Sequence, residues 1–260
     1  MSFSVLIRTH DRPSDLKKAL HSVLNQKMLP EEIFVLDDLN QEIIKKIVYE
    51  IERKSLVRIV YFNTLNKYNS LKNLNIVSEK SSGQFLAFLD DDDTWDKNYL
   101  YKSYSFIKNN NIDIIYTNFL RVHEKTNHPF EIKRLSFKEN VLTNNGFLIS
   151  NLIVKKNVFQ SLGGFDFLLS SSADKDFYLN ALMKKKFKIS IQKDFLINYT
   201  VFKKPNEWKW SDDDSKIVSA KLKFYRKYFL KLDLYLHLRI LIKILKIFLS
   251  IFLSVFFKTK

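Results

Sequence analysis

The chain has 260 residues, of which 46% are hydrophobic and 27% charged, a composition typical of a folded globular protein. It contains no cysteine, which excludes disulfides, thiolate metal sites and cysteine nucleophiles and fits a reducing compartment. The formal net charge is +15, and residues 202–260 contribute 14 Lys plus Arg against 5 Asp plus Glu. This charge suits nucleic acid, an anionic membrane or a phosphorylated substrate. No nucleic-acid-binding motif accompanies it, so we expect no nucleic-acid partner.

Residues 3–93 alternate between short apolar runs and amphipathic segments with helical spacing. The apolar runs predict strands at Phe3–Ile7, Glu32–Leu36, Val57–Phe62 and Phe85–Leu89. This βαβ alternation is the signature of a parallel sheet with crossover helices. The sequence has neither a GxGxxG fingerprint nor a GxxxxGK[ST] loop, which argues against a dinucleotide Rossmann site and a P-loop.

Carboxylates follow two of these predicted strands. Asp37 and Asp38 end the second strand, and the four residues Asp90 to Asp93 end the fourth. The carboxyl ends of parallel strands meet at one edge of a sheet, where open α/β proteins bind ligands. Adjacent carboxylates repel one another unless a cation or hydrogen bonds neutralise them, and Mg²⁺ and Mn²⁺ prefer oxygen ligands. We therefore predict an acidic, metal-binding crevice; the alternative is a solvated acidic loop.

Residues 94–205 lack this regular alternation. A helix is predicted over 95–107, strands over 112–119 and 146–154, and a polar loop or edge strand over 122–134. Gly163-Gly164 is a turn signal, and the segment SSSADKD then leads into an apolar helix that ends near Met183.

Four blocks of the chain carry a family pattern in order: SVLIRTHDRP, EIFVLDDLN, the segment from Lys72 to Asp93, and GGFDFLLSSSADKDF. Together they resemble family 2 glycosyltransferases, the inverting, nucleotide-sugar-dependent enzymes with a GT-A fold. The resemblance spans about residues 3–185 and implies a Rossmann-like, mostly parallel central α/β sheet flanked by helices. It divides residues 1–205 into a nucleotide-binding half, 1–93, and an acceptor and catalytic half, 94–205. A C-terminal helical extension, basic and apolar, follows over 206–260.

The resemblance also implies roles for individual residues. The nucleotide would contact Thr9, His10, Arg12, Asp38, Lys72, Asp90 and Asp91, and Mn²⁺ or Mg²⁺ would bind Asp92. Asp174 matches the second acid of the family's catalytic pair, and Asp176 is the alternative base. The implied reaction moves a sugar from a nucleotide sugar, with UDP expected, to a glycan or lipid-linked glycan in surface polysaccharide or lipooligosaccharide biosynthesis.

Several aspartates also have structural interpretations. Asp91 alternates away from Asp90 and Asp92, which favours a solvated position. Asp37 is expected to cap the second helix, and Asp93 either caps a helix that starts near Trp95 or touches the metal.

The chain departs from the family pattern at several positions, among them Lys175, Leu39-Asn40 and Asn180, and two departures bear directly on the site. Ala173 replaces the usual glutamate beside Asp174, and Arg8 replaces the usual proline. The missing glutamate motivates an alternative function, a catalytically impaired subunit that binds nucleotide sugars or serves as a scaffold in a glycan-assembly complex.

The tail combines a basic helix, Lys216–Lys231, with a largely apolar stretch, Tyr235–Phe257. Its uninterrupted apolar run, Ile247–Phe257, is shorter than the roughly 20 residues that a spanning helix needs. We expect a cytoplasmic protein whose tail lies on the inner face of the cell membrane. A single span and a buried helix pair are the alternatives.

Overall fold

The structure is a computed structural model that describes residues 2–63, 70–123, 126–143, 145–169, 172–201, 212–242 and 244–245. For residues 212–218 only the backbone is described.

Strands and helices alternate through most of the described chain. The strands are β1 (Phe3–Thr9), β2 (Glu32–Asp37), β3 (Arg58–Asn63), β4 (Phe85–Asp90), β5 (Thr94–Trp95), β6 (Ile114–Thr117), β7 (Phe119–His123), β8 (Thr126–Phe130), β9 (Leu152–Lys155), β10 (Ile189–Gln192) and β11 (Ile197–Thr200). The helices are α1 (Pro13–Leu24), α2 (Glu42–Glu52), α3 (Ser70–Lys80), α4 (Tyr99–Asn110), α5 (Phe137–Leu142), α6 (Lys156–Ser161), α7 (Ala173–Lys184) and α8 (Asp212–Tyr228).

A seven-stranded sheet with the order β10-β6-β9-β4-β1-β2-β3 forms the centre of the fold. Strand β9 is antiparallel to its neighbours β4 and β6, and the other described pairs in this sheet are parallel. The chain runs outward from β1 through β2 to β3 and then returns to β4 on the other side of β1. The crevice between β1 and β4 is therefore a topological switch point, where α/β sheets bind ligands.

Helices cover both faces of the sheet, so the central strands are buried on each side. Val5, Leu6 and Ile7 of β1 have no exposed surface. In α1 the buried residues Leu16, Ala19, Leu20 and Val23 recur at the spacing that the sequence predicts. Truncating a buried leucine of this kind to alanine costs about 2–5 kcal/mol of folding free energy. The packing of α1 on the sheet therefore keeps the strand ends of the crevice in place.

The second half of the chain differs from its predicted elements in four places. The single strand predicted over 112–119 is divided into β6 and β7, which belong to different sheets. The predicted loop or edge at 122–134 contains an antiparallel hairpin, β7 and β8, in a second sheet with the order β5-β11-β7-β8. The helix predicted from Trp95 begins at Tyr99, because Trp95 pairs with Ile197 of β11. The strand predicted over 146–154 is limited to β9.

The described part of the tail packs on the domain through one face. Phe224, Tyr228, Leu236 and Ile240 are buried. The predicted apolar run Ile247–Phe257 lies outside the described residues. Among the helices that the structure does describe, we find none with the length and apolar character needed to cross a bilayer.

Candidate active site

Two adjoining cavities lie at the carboxyl ends of β1, β2 and β4. The first has a volume of about 260 Å³ and is lined by Arg8, Thr9, His10, Arg12, Asp38, Ser70, Asp90, Asp91 and Asp92. The second has a volume of about 190 Å³ and is lined by Arg8, Asp90, Leu148, Ile149, Ser172, Ala173, Asp174 and Tyr199. Arg8 and Asp90 line both cavities, so this pair forms their common boundary.

Asp91 is buried, and the predicted solvated position is wrong. Its carboxylate accepts hydrogen bonds from Thr9 Oγ1 at 2.7 Å, from the His10 amide at 3.1 Å and from Arg12 Nη1 at 2.9 Å. Burial raises the pKa of Asp91, and these donors oppose the shift. Asp91 thus ties the loop after β1 to the end of β4, and it holds Thr9, His10 and Arg12 at the first cavity.

Two arginines pair with the acidic run. Arg8 donates from Nε to Asp90 Oδ1, and from Nη2 to Asp90 Oδ2 at 2.9 Å. Arg12 Nη1 pairs with Asp91 and also with Asp92. Charge-assisted pairs of this kind hold adjacent carboxylates together despite their mutual repulsion.

Three of the four aspartates form a candidate cation site. Asp90, Asp92 and Asp93 each offer one oxygen atom, and these atoms lie within 4.8 Å of one another. Burial, together with the charge of Asp90, raises the pKa of Asp92 to about 6, against the opposing effect of Arg12. The same two causes raise the pKa of Asp93 well above its usual value. A hard divalent cation would offset the cost of ionising these buried, mutually repelling carboxylates, so the residues fit Mg²⁺ or Mn²⁺.

Asp93 is a candidate metal ligand, which is one of the two roles that the sequence leaves open for it. Its Oδ1 accepts a hydrogen bond from the Thr200 amide at 2.9 Å, so it does not cap a helix at Trp95. Its Oδ2 is buried and has no hydrogen-bond partner among the residues that the structure describes, while the nearby hydroxyl of Ser150 lowers the pKa of this carboxyl. A buried, unpartnered carboxylate oxygen is costly, and a bound cation would satisfy it.

The predicted nucleotide residues do not all reach the first cavity. Asp38 lines it, receives a 3.4 Å hydrogen bond from Asn73 Nδ2, and has its pKa raised to about 6 by burial. Lys72 lies on α3, with its ammonium 5.6 Å from the ring centre of Phe167. Ser70, at the start of the same helix, lines the cavity and Lys72 does not.

Asp37 holds the turn after β2. It is fully buried and accepts hydrogen bonds from the amides of Leu39 at 3.0 Å and Gln41 at 2.6 Å. Tyr61 also donates to it. Gln41 is the N-cap position of α2, so Asp37 braces the entry to this helix.

Asp174 and Asp176 have different surroundings. Asp174 lines the second cavity, and burial raises its pKa to about 6 against the Lys175 amide and the charge of Arg8. Asp176 is only 2% exposed; its Oδ1 accepts from Tyr228 Oη at 2.7 Å, and its Oδ2 accepts from Lys227 Nζ at 2.9 Å. Of the two predicted bases, Asp174 lines one of the two cavities and Asp176 lines neither.

The Gly163-Gly164 turn fixes the segment that leads to α7. Both glycines have a positive φ, and a Cβ on Gly164 would collide with the side chain of Asn75 on α3. That side chain donates to the carbonyl of Phe165 at 2.8 Å and accepts from its amide at 2.9 Å. The turn is therefore anchored on the nucleotide half of the domain, upstream of Asp174.

Tyr199 is a site residue that the sequence pattern does not mark. It lies on β11 and lines the second cavity. Burial and the carboxylates of Asp93 and Asp92 raise its pKa. Because β11 is a four-residue strand of mixed polarity, neither periodicity nor a motif identifies this tyrosine.

The comparisons with known proteins decide the family. The family model described as "Glycosyl transferase family 2" matches residues 4–175, which is more than half of the chain. The chain belongs to glycosyl transferase family 2. This confirms the resemblance carried by the four sequence blocks.

Relatives and solved structures agree with the family. An uncharacterized glycosyltransferase of Rickettsia bellii is 33% identical over 139 residues, covering 53% of this chain and 20% of that protein. GalNAc(5)-diNAcBac-PP-undecaprenol beta-1,3-glucosyltransferase of Campylobacter jejuni is 37% identical over 91 residues, covering 35% of this chain and 29% of that protein. The chain thus spans under a third of the length of either relative.

The solved structure of S. aureus TarS 1-349, in complex with UDP-GlcNAc, has a TM-score of 0.67 at 18% identity. The match covers 85% of this chain and 64% of that one. The predicted GT-A fold, with its mostly parallel central sheet, is confirmed.

Proposed function

We propose that this chain is an inverting glycosyltransferase that moves a sugar from a nucleotide sugar to a glycan acceptor. The observation that carries the proposal is the arrangement of the two cavities. One contains the acidic strand ends and the other contains Asp174, and they share the Arg8–Asp90 boundary. A nucleotide sugar extended across this boundary places its nucleotide beside Asp38 and its sugar beside Asp174.

Asp174 is the proposed general base. It takes the proton from an acceptor hydroxyl as that oxygen attacks the anomeric carbon, on the face opposite the diphosphate. A bond forms between the acceptor oxygen and the anomeric carbon. The bond from that carbon to the phosphate oxygen breaks, and its electron pair leaves with the nucleoside diphosphate. A positioned base contributes typically 10²–10⁴-fold to the rate, and a carboxylate with a pKa near 6 is ionised at neutral pH.

The proposed cofactor is Mg²⁺ or Mn²⁺, held by Asp90, Asp92 and Asp93. When bound, a divalent ion neutralises negative charge on a leaving diphosphate. We assign the nucleoside to Thr9, His10, Arg12 and Asp38. UDP is the proposed nucleotide, supported by the UDP-GlcNAc of the TarS structure.

A third cavity, of about 270 Å³, is the proposed acceptor subsite. It is lined by Phe119, Arg121, Gly146, Leu148, Tyr199 and Val201. It shares Leu148 and Tyr199 with the cavity that contains Asp174, so an acceptor bound there lies next to the proposed base. Aromatic side chains suit sugar rings, and Tyr199, which is partly exposed, is the aromatic residue that this cavity shares with the cavity of Asp174. The name of the Campylobacter relative includes an undecaprenol-linked glycan, which supports a lipid-linked acceptor.

We further propose that the tail places the enzyme on the inner face of the cell membrane. Exposed leucines follow one another at helical spacing at positions Leu234, Leu238, Leu241 and Leu245. Lys231 precedes them and Arg239 lies among them. An apolar stripe with flanking basic residues is typical of helices that lie in the headgroup region.

A competing function, nucleotide-sugar binding without catalysis, is motivated by Ala173. This residue is buried beside Asp174 and offers no second acid. Thermal stabilisation by UDP, GDP, CDP, ADP and dTDP sugars with Mn²⁺, followed by an assay of donor hydrolysis, separates the two functions. A ligand at 100 times its Kd stabilises by about 2.7 kcal/mol. Stabilisation with hydrolysis supports the enzyme, stabilisation alone supports the binding subunit, and no stabilisation contradicts both.

A further inference from the structure

Arg8 occupies a central position in the crevice. It stands opposite Asp90 in the register of β1 and β4, at the switch point of the sheet. The family pattern usually has proline here, a residue without a charged side chain. Arg8 therefore gives this chain a cation that the family pattern does not supply.

The guanidinium keeps donors available for a ligand. Arginine has five N–H groups in a rigid fork. One on Nε and one on Nη2 donate to Asp90, which leaves three without a hydrogen bond to any described residue. The side chain is 28% exposed, and it lines both cavities. Arginine forks match phosphate oxygens in geometry as well as in charge.

The proposed position of the nucleotide sugar puts its diphosphate beside Arg8. In a nucleotide sugar the diphosphate joins the nucleoside to the sugar. If the nucleoside lies beside Asp38 and the sugar beside Asp174, the diphosphate crosses the boundary between the two cavities. Only Arg8 and Asp90 line both sides of that boundary among the described residues. The Asp90 carboxylate can attract phosphate only through a bound cation, so Arg8 is the side chain of the pair that attracts it directly.

We propose that Arg8 binds the diphosphate of the donor and holds it as it leaves, while Asp90 keeps the guanidinium in place. This inference rests on the proposed function, because it takes the nucleoside side and the sugar side from it. Arg8 is then a phosphate-binding residue of the active site, additional to the aspartates of the acidic run.

The competing role for Arg8 is simple neutralisation of Asp90. In that role, removing Arg8 leaves the Asp90 carboxylate charge uncompensated. This charge weakens the binding of every anionic ligand indirectly, and excess Mn²⁺ restores binding by neutralising the charge. Direct phosphate binding makes a different prediction. The preference for a diphosphate over a monophosphate falls, and saturating Mn²⁺ does not restore it.

Isothermal titration of UDP and UMP against wild type and Arg8→Gln, at low and saturating Mn²⁺, tests the inference. If the thermal screen selects another base, its diphosphate and monophosphate replace UDP and UMP. We expect Arg8→Gln to weaken UDP by roughly 10- to 100-fold, since hydrogen bonds to charged groups contribute about 1.5–3 kcal/mol each. The affinity for UMP should change less than about threefold. The UDP affinity of Arg8→Lys should lie between those of wild type and Arg8→Gln.

Two further variants control for charge and for folding. Arg58→Gln removes one positive charge at the amino end of β3, away from the crevice, and should bind UDP as wild type does. The double variant Arg8→Gln with Asp90→Asn removes both charges of the pair, so it does not leave Asp90 unpaired. Because Asp90 is also a proposed metal ligand, the double variant is compared with Asp90→Asn alone at saturating Mn²⁺, and its preference for UDP over UMP should be the lower of the two.

Equal weakening of UDP and UMP, or full recovery of UDP binding at saturating Mn²⁺, would overturn the inference and leave the proposed function standing. If wild type binds no nucleoside diphosphate at all, the proposed function fails and the inference fails with it. The two failures are therefore distinguishable in the same titrations.

Discussion

Asp174 and Asp176 lie two positions apart on α7, yet their carboxylates face different surroundings. Asp174 lines the cavity beside Arg8, whereas Asp176 is clamped by Lys227 and Tyr228 of α8. Two residues on an α-helix are about 200° apart around its axis, so they point to opposite faces. One acid of this motif is therefore available for chemistry, and the other joins the C-terminal helix to the domain.

The first prediction concerns Asp176 as an anchor. Asp176→Asn should lower the free energy of unfolding by about 1–3 kcal/mol, because Lys227 loses its buried charged partner. Donor binding should be unchanged, since Asp176 lines neither cavity. Urea denaturation and UDP titration measure the two effects. Asp166→Asn is the matched control, because Asp166 pairs with the same lysine but is more exposed and should cost less. Unchanged stability together with lost turnover would contradict the anchor role.

The second prediction concerns Asp93 as a metal ligand. Asp93→Asn should weaken Mn²⁺ binding about tenfold or more, because it removes a buried oxygen that has no hydrogen-bond partner within the described chain. Electron paramagnetic resonance of free Mn²⁺ gives the affinity directly. Asp113→Asn is the control: Asp113 pairs with Lys155 at the opposite end of the sheet and should leave the affinity unchanged. Equal Mn²⁺ affinities for wild type and Asp93→Asn would remove Asp93 from the site.

The third prediction is the pH dependence of turnover. The pKa of Asp174 is raised to about 6, so the ionised base is lost as the pH falls through that value. With donor and Mn²⁺ saturating, kcat should fall about tenfold for each pH unit below about 6. The positive charge of Arg8 lowers the pKa of Asp174. Arg8→Lys keeps this charge and should leave the acidic limb of the kcat–pH profile nearly in place, whereas Arg8→Gln should move that limb to higher pH. A kcat that stays constant down to pH 4.5 would exclude Asp174 as the base.

The fourth prediction is a link between function and stability. The native-state pKa of Asp174 lies above its ordinary value of 3.8, so the native protein binds more protons than the unfolded chain between these values. Stability therefore falls as the pH rises from about 4 to about 6. Asp174→Asn should remove the free-energy cost of ionising this buried carboxyl. The Tm should therefore rise at pH 7.5 and change little at pH 4. Thermal melts at both pH values measure it, and a lower Tm at pH 7.5 would contradict the burial argument.

The fifth prediction concerns the leucine stripe of the tail. The protein should co-sediment with vesicles of phosphatidylglycerol and phosphatidylethanolamine, less so at high salt. Leu234, which is 84% exposed, should contribute about 1.5–3 kcal/mol, so Leu234→Glu should weaken binding about tenfold or more. Leu56→Glu is the control, because Leu56 is 98% exposed but lies outside the tail. Failure of wild type to bind these vesicles would contradict membrane association.

The first half of the fold is predictable because its parallel strands are buried on both faces. A strand such as β1 reads as an uninterrupted apolar run, and the helices between such runs keep a clear apolar stripe. The second half is less predictable because its strands are short and depend on distant partners. Trp95 is in a strand only because Ile197 pairs with it, 102 positions later.

The candidate site, like the fold, is only partly predictable from the sequence. The aspartates at the ends of β2 and β4 meet because parallel strands share an edge, which sequence order alone implies. Whether each aspartate is buried depends on remote contacts. Asp91 is held by Thr9, and Asp93 by Thr200, 107 positions away. Periodicity along the acidic run cannot encode such contacts.

The central claim is that Asp174 is the catalytic base of a nucleotide-sugar site. The most direct test measures donor hydrolysis and UDP affinity for wild type, Asp174→Asn and Asp176→Asn, with the donor found by thermal screening and with Mn²⁺ saturating. We expect Asp174→Asn to lose roughly 10²-fold or more in kcat, while its Kd for UDP stays within about threefold of wild type and Asp176→Asn keeps most of its activity. Near-normal turnover by Asp174→Asn would contradict the claim, as would loss of turnover confined to Asp176→Asn.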